Sequence, residues 1–431
     1  MNEKLTDNFN LERDADICFL GGIYPKEHEN EVKKNSKHGV DNAANNMQWK
    51  YIKGLDACLS NPVYILNSMY IGSYPKHYKK VAIKGYEFSH TNSTVDHNVG
   101  FINLYGIKNF IRFIKLKPYL KKWARQKEKA ETKIIFAYAM TYTFLKCLAY
   151  IKKYNSNITT CLIVPDLPEY MNTTNKRSLL YDFLKKIEIN KIQKNMKFVD
   201  KYVFLTDQMA QKLGIKQSDY IVVEGMIESN SNEQIDVVDT EYIYTFNEND
   251  IYLCYTGTLN EKYGIKKLIQ VMNYIKEKNI KLLICGRGDS EDYIQNAANV
   301  NKNIIYLGEV PAQSIKYILS KSDLLINPRP NNEEYTKYSF PSKTMEYILS
   351  GVPTIAFNLD GIPDEYDSYL NYFSSSDEKN MAKDIVNIIE NQEAYLNKAQ
   401  LGKVFVTEKK NNVFSSNKIL NFLIENDKAS D

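Results

Sequence analysis

The stretch Tyr338-Ser-Phe-Pro-Ser-Lys-Thr-Met-Glu346-Tyr-Ile-Leu-Ser-Gly351-Val-Pro353-Thr-Ile-Ala-Phe357 decides how this chain is read. It runs as loop, helix start, short helix, glycine stop and apolar strand. Pro341 suits a first helical turn, and Gly351 followed by Pro353 ends the helix abruptly. On such a helix Lys343, Glu346 and Ser350 share one face, while Met345, Ile348 and Leu349 fill the other. A cation at a helix N-terminus, with a carboxylate one turn later, makes a cradle for a phosphate and a sugar hydroxyl. An ordinary amphipathic helix with a surface Lys-Glu pair has the same local pattern. The surroundings must therefore decide.

Outward from this stretch, strand-length apolar runs alternate with helical patterns. In the second half strands are predicted at 251–256, 281–285, 304–307, 324–326 and 354–357, and helices at 265–278, 291–297, 313–320, 342–350 and 378–391. In the first half strands are predicted at 16–23, 63–66, 81–88, 133–139, 160–164, 202–205 and 220–223. Helices there are predicted at 42–59, 107–129, 143–154 and 177–198. This alternation implies an α/β protein with parallel sheets covered on both faces. A chain of 431 residues exceeds one core, and a Ser-, Asn-, Asp- and Glu-rich segment interrupts the rhythm. The expected domains are 1–227, a connection over 228–250, and 251–395. After Gln392 the pattern loosens, and a tail over 396–431 ends in a helix at 413–424 suited to packing back on the first domain.

Composition narrows the class. With 43% apolar and 25% charged residues the chain is globular, and a net charge of +4 argues against general nucleic-acid binding. Tyrosine, at 33, is frequent, and the six cysteines lack Cys-x-x-Cys spacing and mostly lie in apolar runs, as reduced buried side chains do. The N-terminus has no apolar signal core, and no run reaches the roughly 18 apolar residues of a membrane span. A cytoplasmic protein is expected.

Ligands of open parallel sheets bind beyond the carboxyl ends of strands. Glycines and cations sit at those places: Gly21-Gly22; Gly257-Thr258 with Lys262 and Gly264; Gly286-Arg287-Gly288; and Asn327-Pro328-Arg329. One such glycine serves a tight turn as readily as a ligand. Four sites, three with Lys or Arg nearby, point to a nucleotide diphosphate in a cleft between two Rossmann-like domains. No complete Gly-x-Gly-x-x-Gly and no Gly-x-x-x-x-Gly-Lys-Ser/Thr is present, which sets dehydrogenase and kinase readings aside.

Residues 255–366 resemble the donor-binding domain of glycosyltransferase family 4, retaining enzymes of the GT-B fold. The likeness rests on Tyr-Thr-Gly-Thr-Leu-Asn-Glu-Lys-Tyr-Gly-Ile (255–265), Leu-Leu-Ile-Cys-Gly-Arg-Gly (282–288), Tyr-Leu-Gly-Glu-Val (306–310), Ser-Asp-Leu-Leu-Ile-Asn-Pro-Arg (322–329) and the opening stretch. The first half is similar to acceptor-side domains of bacterial surface-polysaccharide members, through Phe-Leu-Gly-Gly-Ile-Tyr-Pro (19–25) and Val-Pro-Asp-Leu-Pro-Glu-Tyr-Met (164–171). The resemblance implies that Glu346 bonds the nucleotide ribose, that Ser342 and Lys343 meet the diphosphate, and that Lys262 is the basic residue after the first donor-domain strand. Gly22, Gly257, Thr258, Gly286, Arg287 and Tyr338 complete the expected donor set. Two departures bear on the sugar rather than the nucleotide. Tyr338 stands where the family has a first glutamate, with Glu333 and Glu334 upstream, and Thr258 replaces an arginine, leaving Arg329 or Arg287 to supply that charge.

A departing nucleoside diphosphate is anionic, and Lys262, Lys343, Arg329 and helix-end amides would stabilise it without metal. In retaining enzymes of this type the acceptor attacks from the leaving-group side and the donor phosphate takes its proton. No cofactor is expected, and Asp14-Ala15-Asp16 reads as an exposed lead-in at the wrong end of a sheet. Asp166 follows a strand where the family often places a polar residue near the reacting sugar; Asp before Leu-Pro is also a common turn residue. His28 and His38 flank a polar loop, open to acceptor contact or simply exposed.

Residues 108–129 carry Lys108, Arg112, Lys115, Lys121, Lys122 and Arg125 among aromatic and aliphatic residues, interrupted by Pro118. Such a helix reads as a surface for anionic membrane, and equally as a solvated charged face. The expected function is transfer of a sugar, with retention, from a UDP- or GDP-linked donor to a saccharide or lipid-linked saccharide in polysaccharide biosynthesis, at the inner face of the membrane. A nucleotide-sugar epimerase and a catalytically silent nucleotide-sugar-binding partner are the alternatives.

Overall fold

Apolar runs ended by glycine, Asn or Pro become parallel strands, and the amphipathic segments between them become the covering helices. The computed structural model describes residues 13–126, 132–170, 179–229 and 244–425. It divides into two units, 1–226 with 412–431, and 227–411. Most of the expected connection, 230–243, and the ends of two expected helices (127–129 and 177–178) lie outside the described residues.

The first unit holds β1 (Ala15–Gly21), α1 (Lys26–Asn35), α2 (Asn42–Asp56), β2 (Tyr64–Asn67), β3 (Ala82–Ile83), β4 (Tyr86–Phe88), β5 (Asp96–Asn98), β6 (Phe101–Ile102) and α3 (Lys108–Arg125). It continues through β7 (Thr132–Tyr138), α4 (Tyr142–Tyr154), β8 (Thr159–Val164), α5 (Leu179–Met196), β9 (Lys201–Phe204), α6 (Asp207–Leu213) and β10 (Tyr220–Val222). Eight strands lie in the order β10-β9-β8-β7-β1-β2-β5-β4, parallel except for β4 against β5, and β3 pairs with β6 as a separate ribbon. The chain reverses its direction of winding between β1 and β7.

The second unit holds β11 (Ile251–Thr256), α7 (Ile265–Val271), β12 (Ile280–Cys285), α8 (Glu291–Val300), β13 (Ile304–Gly308), α9 (Ala312–Lys321) and β14 (Leu324–Asn327). After it come α10 (Ser342–Ser350), β15 (Thr354–Ala356), β16 (Asn371–Tyr372), α11 (Glu378–Glu390) and α12 (Gln392–Lys409); α13 (Asn412–Glu425) then returns to the first unit. Its six parallel strands run β13-β12-β11-β14-β15-β16, the doubly wound order whose switch point lies between β11 and β14.

Several expectations are replaced. The loosened pattern after Gln392 is an 18-residue helix, α12, whose Val406 packs with Met345 and Ile348 of α10. Residues after Gly22 expected as loop include the polar helix α1, and His28 lies on it, stacked on Tyr86 at 3.9 Å between ring centroids. Pro118 does not interrupt α3; it sits exposed within a continuous helix. The run 81–88 folds as two short strands, not one. The six cysteines are all buried.

Candidate functional site

In the second unit the carboxyl ends of β11, β12 and β14 meet the start of α10. The buried Tyr347 phenol fixes this arrangement: it accepts from the Thr256 amide at 2.8 Å and donates to the Thr256 carbonyl at 3.1 Å. Asn327 Nδ2 adds a second tie, to Thr344 Oγ1 at 3.1 Å. Both ties come from the inward face of α10, so Ser342 and Glu346 are left exposed on the other. No side chain caps the helix at Pro341. The amides of the first turn therefore remain suited to an anion.

The glycines are explained first by one another. A Cβ on Gly286, at φ 138°, would stand 1.8 Å from the Gly257 carbonyl oxygen. One on Gly264, at φ 81°, would stand 2.0 Å from the carbonyl of Pro328. The strand-end loops thus pack backbone to backbone, and only glycine fits. Gly257 itself faces Lys343, whose Cγ lies 3.9 Å from where a Cβ would be.

The expected cations occupy different environments. Lys343 Nζ lies 2.7 Å from Glu346 Oε2, so the groups assigned to phosphate and ribose are paired with each other. An exposed pair of this kind is worth only about 0–1 kcal/mol, a small cost for a ligand that separates it. Lys262 is exposed on a short helical turn whose amide bonds Asn260 Oδ1 at 3.0 Å. Arg329 lies between the rings of Tyr263 and Tyr335, at 5.6 and 4.9 Å, and donates to Ser339 Oγ at 2.8 Å. Its Nε is buried with no partner among the described residues, an unspent donor beside the site. Arg287 points away into an exposed pair with Glu309, 3.0 Å from Nε. Thr258 is exposed, and its carbonyl accepts from Tyr255. Tyr338 lies on the turn before α10, its phenol 3.3 Å from Glu334 Oε1.

In the first unit the carboxyl ends of β7 and β8 open into a cavity of about 590 Å³ lined by Tyr70, Tyr138, Thr141, Asp166, Lys108 and Glu188 among others. The Asp166 side chain reaches solvent at its mouth. Its carboxyl is pushed up to about 6, chiefly by desolvation and then by Asp41. The Gly22 amide donates to Gln48 Oε1 at 2.7 Å, and a Cβ on this residue would stand 2.4 Å from the Tyr70 ring.

Two further expectations are corrected. Arg112 is not a membrane-facing cation: it is 6% exposed, with Nε 2.7 Å from Ser68 Oγ and further donation to the Ser68 and Met69 carbonyls. Lys108 is half-buried and donates to the Ile71 carbonyl at 3.1 Å; desolvation and Arg112 lower its pKa to about 8. Lys115, Lys122 and Arg125 are exposed and Lys121 half so, beyond an exposed apolar stripe of Ile107, Phe110 and Ile114. Asp16 is not a free lead-in either. It accepts from Trp123 Nε1 at 3.0 Å and pairs with Lys133 at 3.3 Å. Sequence reading missed Tyr347; a buried tyrosine in an otherwise aliphatic helix face was the available signal.

Residues 240–403 match the family model described as glycosyl transferases group 1. An uncharacterized glycosyltransferase of Methanocaldococcus jannaschii is 25% identical over 119 residues, 27% of this chain and 29% of that relative's length. Among solved structures, sucrose-phosphate synthase of Thermosynechococcus elongatus superposes with a TM-score of 0.61 at 11% identity, over 95% of this chain and 99% of that one. The Anabaena protein HepE in complex with UDP gives 0.56 at 13%, and WaaG, a glycosyltransferase involved in lipopolysaccharide biosynthesis, 0.55 at 13%, each over 95% and 99%. The shared α/β architecture is that of GT-B glycosyltransferases. Among the described residues no helix is long and apolar enough to cross a membrane.

Proposed function

We propose that this chain, which carries a glycosyl transferases group 1 domain, is a retaining glycosyltransferase acting in polysaccharide biosynthesis. The comparisons support a nucleotide-sugar-dependent transferase. The observation that carries the reading further is the uncapped start of α10, tied by Tyr347 to the end of β11, with Glu346 exposed on its free face and Lys343 paired to it. In this reading the diphosphate takes the Ser342 and Lys343 amides, and Glu346 exchanges its ion pair for the ribose. Lys343, Lys262 and Arg329 then offset the charge that builds on the leaving group. The transferred sugar leaves with the acceptor hydroxyl, whose proton passes to the departing phosphate. Asp166 orients that hydroxyl. UDP is the nucleotide to test before GDP, since HepE was solved with UDP and with UDP-glucose.

The test pairs nucleotide titration with turnover. UDP- and GDP-sugars are incubated with and without lipid-linked saccharide, and nucleotide release and sugar isomerisation are both followed. Release that rises with acceptor supports transfer. Isomerisation would support the epimerase alternative, and binding without turnover the silent partner; the comparisons favour neither. Glu346→Ala should weaken UDP binding by about 1–3 kcal/mol. A folded variant with wild-type affinity would remove Glu346 from the site.

A lipid-linked acceptor gives a purpose to one surface of the first unit. Ile102, Leu104 and Tyr105, followed by Ile107, Phe110 and Ile114 of α3, are all exposed, and Lys115 and Lys122 lie further along the same helix. Apolar residues flanked by lysine suit an anionic bilayer, about 1 kcal/mol per cation near the surface. Phe110→Ser combined with Ile114→Ser should abolish co-sedimentation with vesicles containing phosphatidylserine at low salt. Retention by the double variant would refute the surface.

A further inference from the structure

We propose that the first unit has a second, non-catalytic site for a neutral saccharide, in the cavity between the amino-terminal ends of β1 and β2 and the last turns of α3. The inference rests on the reading that this chain handles saccharides, but uses none of the residues assigned to donor or acceptor.

The cavity measures about 440 Å³, within the range of small-ligand sites and large enough for one or two sugar rings. It lies at the opposite end of the strands from Asp166, because Asp16 begins β1 whereas Asp166 follows the end of β8. Its walls are aromatic. The His97 and Tyr119 rings lie 4.6 Å apart between centroids and those of Tyr64 and His97 5.7 Å, with Trp123 behind them. Flat rings of this kind accept the C–H face of a pyranose.

The polar groups are ordered and not merely present. Tyr64, kept protonated by burial, meets His97 Nδ1 at 3.2 Å, and His97 Nε2 meets Glu87 Oε1 at 3.3 Å. Glu87 meets His97 through one oxygen and is 71% exposed at the cavity. Asn61, Lys122 and Gln126 supply donors and amide acceptors around the same cavity. A rim that both donates and accepts matches hydroxyl groups, each of which does both.

Charge disfavours the obvious competitor. Glu87 would face the phosphates of a nucleotide, Asp16 is already paired with Lys133, and Lys122 is the only Lys or Arg lining the cavity. A neutral sugar meets no such repulsion.

The experiment is calorimetric titration of the full-length protein with cellobiose, lactose and chitobiose, in the presence of saturating UDP. Binding is expected to survive Glu346→Ala, and to weaken about tenfold or more in both Tyr119→Ala and the surface variant Glu87→Gln. Tyr119→Phe, which keeps the ring, should bind as the wild type does. No binding up to about 20 mM of any of the three sugars, or binding unchanged in both weakening variants, overturns the site. So does Tyr119-dependent binding of tetramethylammonium where the saccharides fail, which would mark an aromatic cage for a cation. The outcomes separate from the main reading. Loss of UDP binding in Glu346→Ala reports on the nucleotide alone, and a silent cavity leaves that result standing.

Discussion

The Tyr347 phenol both donates to and accepts from the backbone of Thr256, one residue before Gly257. It touches no expected ligand, yet it sets where α10 begins relative to β11. Tyr347→Phe leaves a buried amide and carbonyl without their partner, at a cost of about 1–3 kcal/mol in stability. We predict that urea denaturation shows this loss and that UDP affinity falls with it, although the variant keeps every group assigned to the nucleotide. Full UDP affinity in the destabilised variant would show that the tie is structural alone. Asp166 makes a different kind of prediction. Its folded pKa of about 6 lies above the ordinary 3.8, so between those values the folded state holds a proton that the unfolded chain has lost. Stability from this group is therefore present at low pH and is lost as pH rises toward 6. Asp166→Asn should melt at a higher temperature than wild type near neutral pH, and at the same temperature below the ordinary value. An unchanged difference across that window would mean that the carboxyl is fully solvated.

At the scale of elements, the loop between β4 and β5 is clamped by His90. Its ring lies 2.6 Å from Asp96 and 3.2 Å from Asp56 at the end of α2, and its side chain is 4% exposed. Burial alone would lower its pKa; hydrogen bonds and attraction from Asp56 and Asp96 outweigh that and raise it to about 9. The sign is the same as for Asp166, since both folded values are raised: the contribution is complete below the ordinary 6.5 and is lost as pH rises through about 9. His90→Ala strands two carboxylates, one of them wholly buried, and should cost about 3–5 kcal/mol near neutral pH. Denaturation at pH 7 and pH 10 should show this penalty shrinking; a constant penalty would mean a neutral ring. None of this was legible in the sequence, where Asp96, His97 and Asn98 look like loop, because a strand whose side chains are buried in a polar network has no apolar alternation. The polar α1 was hidden for a related reason, as Val32 is its sole buried side chain. Five strands of the second unit, β11 to β15, were legible as apolar runs, whereas β16, the two-residue Asn371–Tyr372, has no such run and was not predicted. Helix α10 was legible to the residue, its cap signals and amphipathic spacing agreeing. Arg112 misled because its type predicts a surface position, whereas Ser68 and two carbonyls allow burial.

For the molecule as a whole, the last helix matters more than its position in the chain suggests. The loops around Gly286 and Gly264 are held within the second unit, but α13 belongs to the core of the first. Ile419, Leu420 and Leu423 are at most 1% exposed there, packed with Tyr51, Ile52 and Leu55 of α2. Close approach is enforced at Gly54, where a Cβ would stand 2.3 Å from the Asn412 carbonyl oxygen. In the second unit α12 plays the matching part: Gln400 Nε2 donates to the Gly351 carbonyl at 2.9 Å, and Val406 is fully buried against α10. Neighbouring helices of one C-terminal run thus stabilise separate cores. If each core melts cooperatively, Leu420→Ala should lower one calorimetric transition, by about 2–5 kcal/mol, and leave UDP binding intact. Val406→Ala should lower the other. UDP, by mass action on the unit that binds it, should raise the Val406-sensitive transition, about 2.7 kcal/mol at a hundredfold excess over Kd. A single transition lowered by both variants and raised by UDP would instead mean that the two cores unfold as one, and that the donor domain is not a separate folding unit.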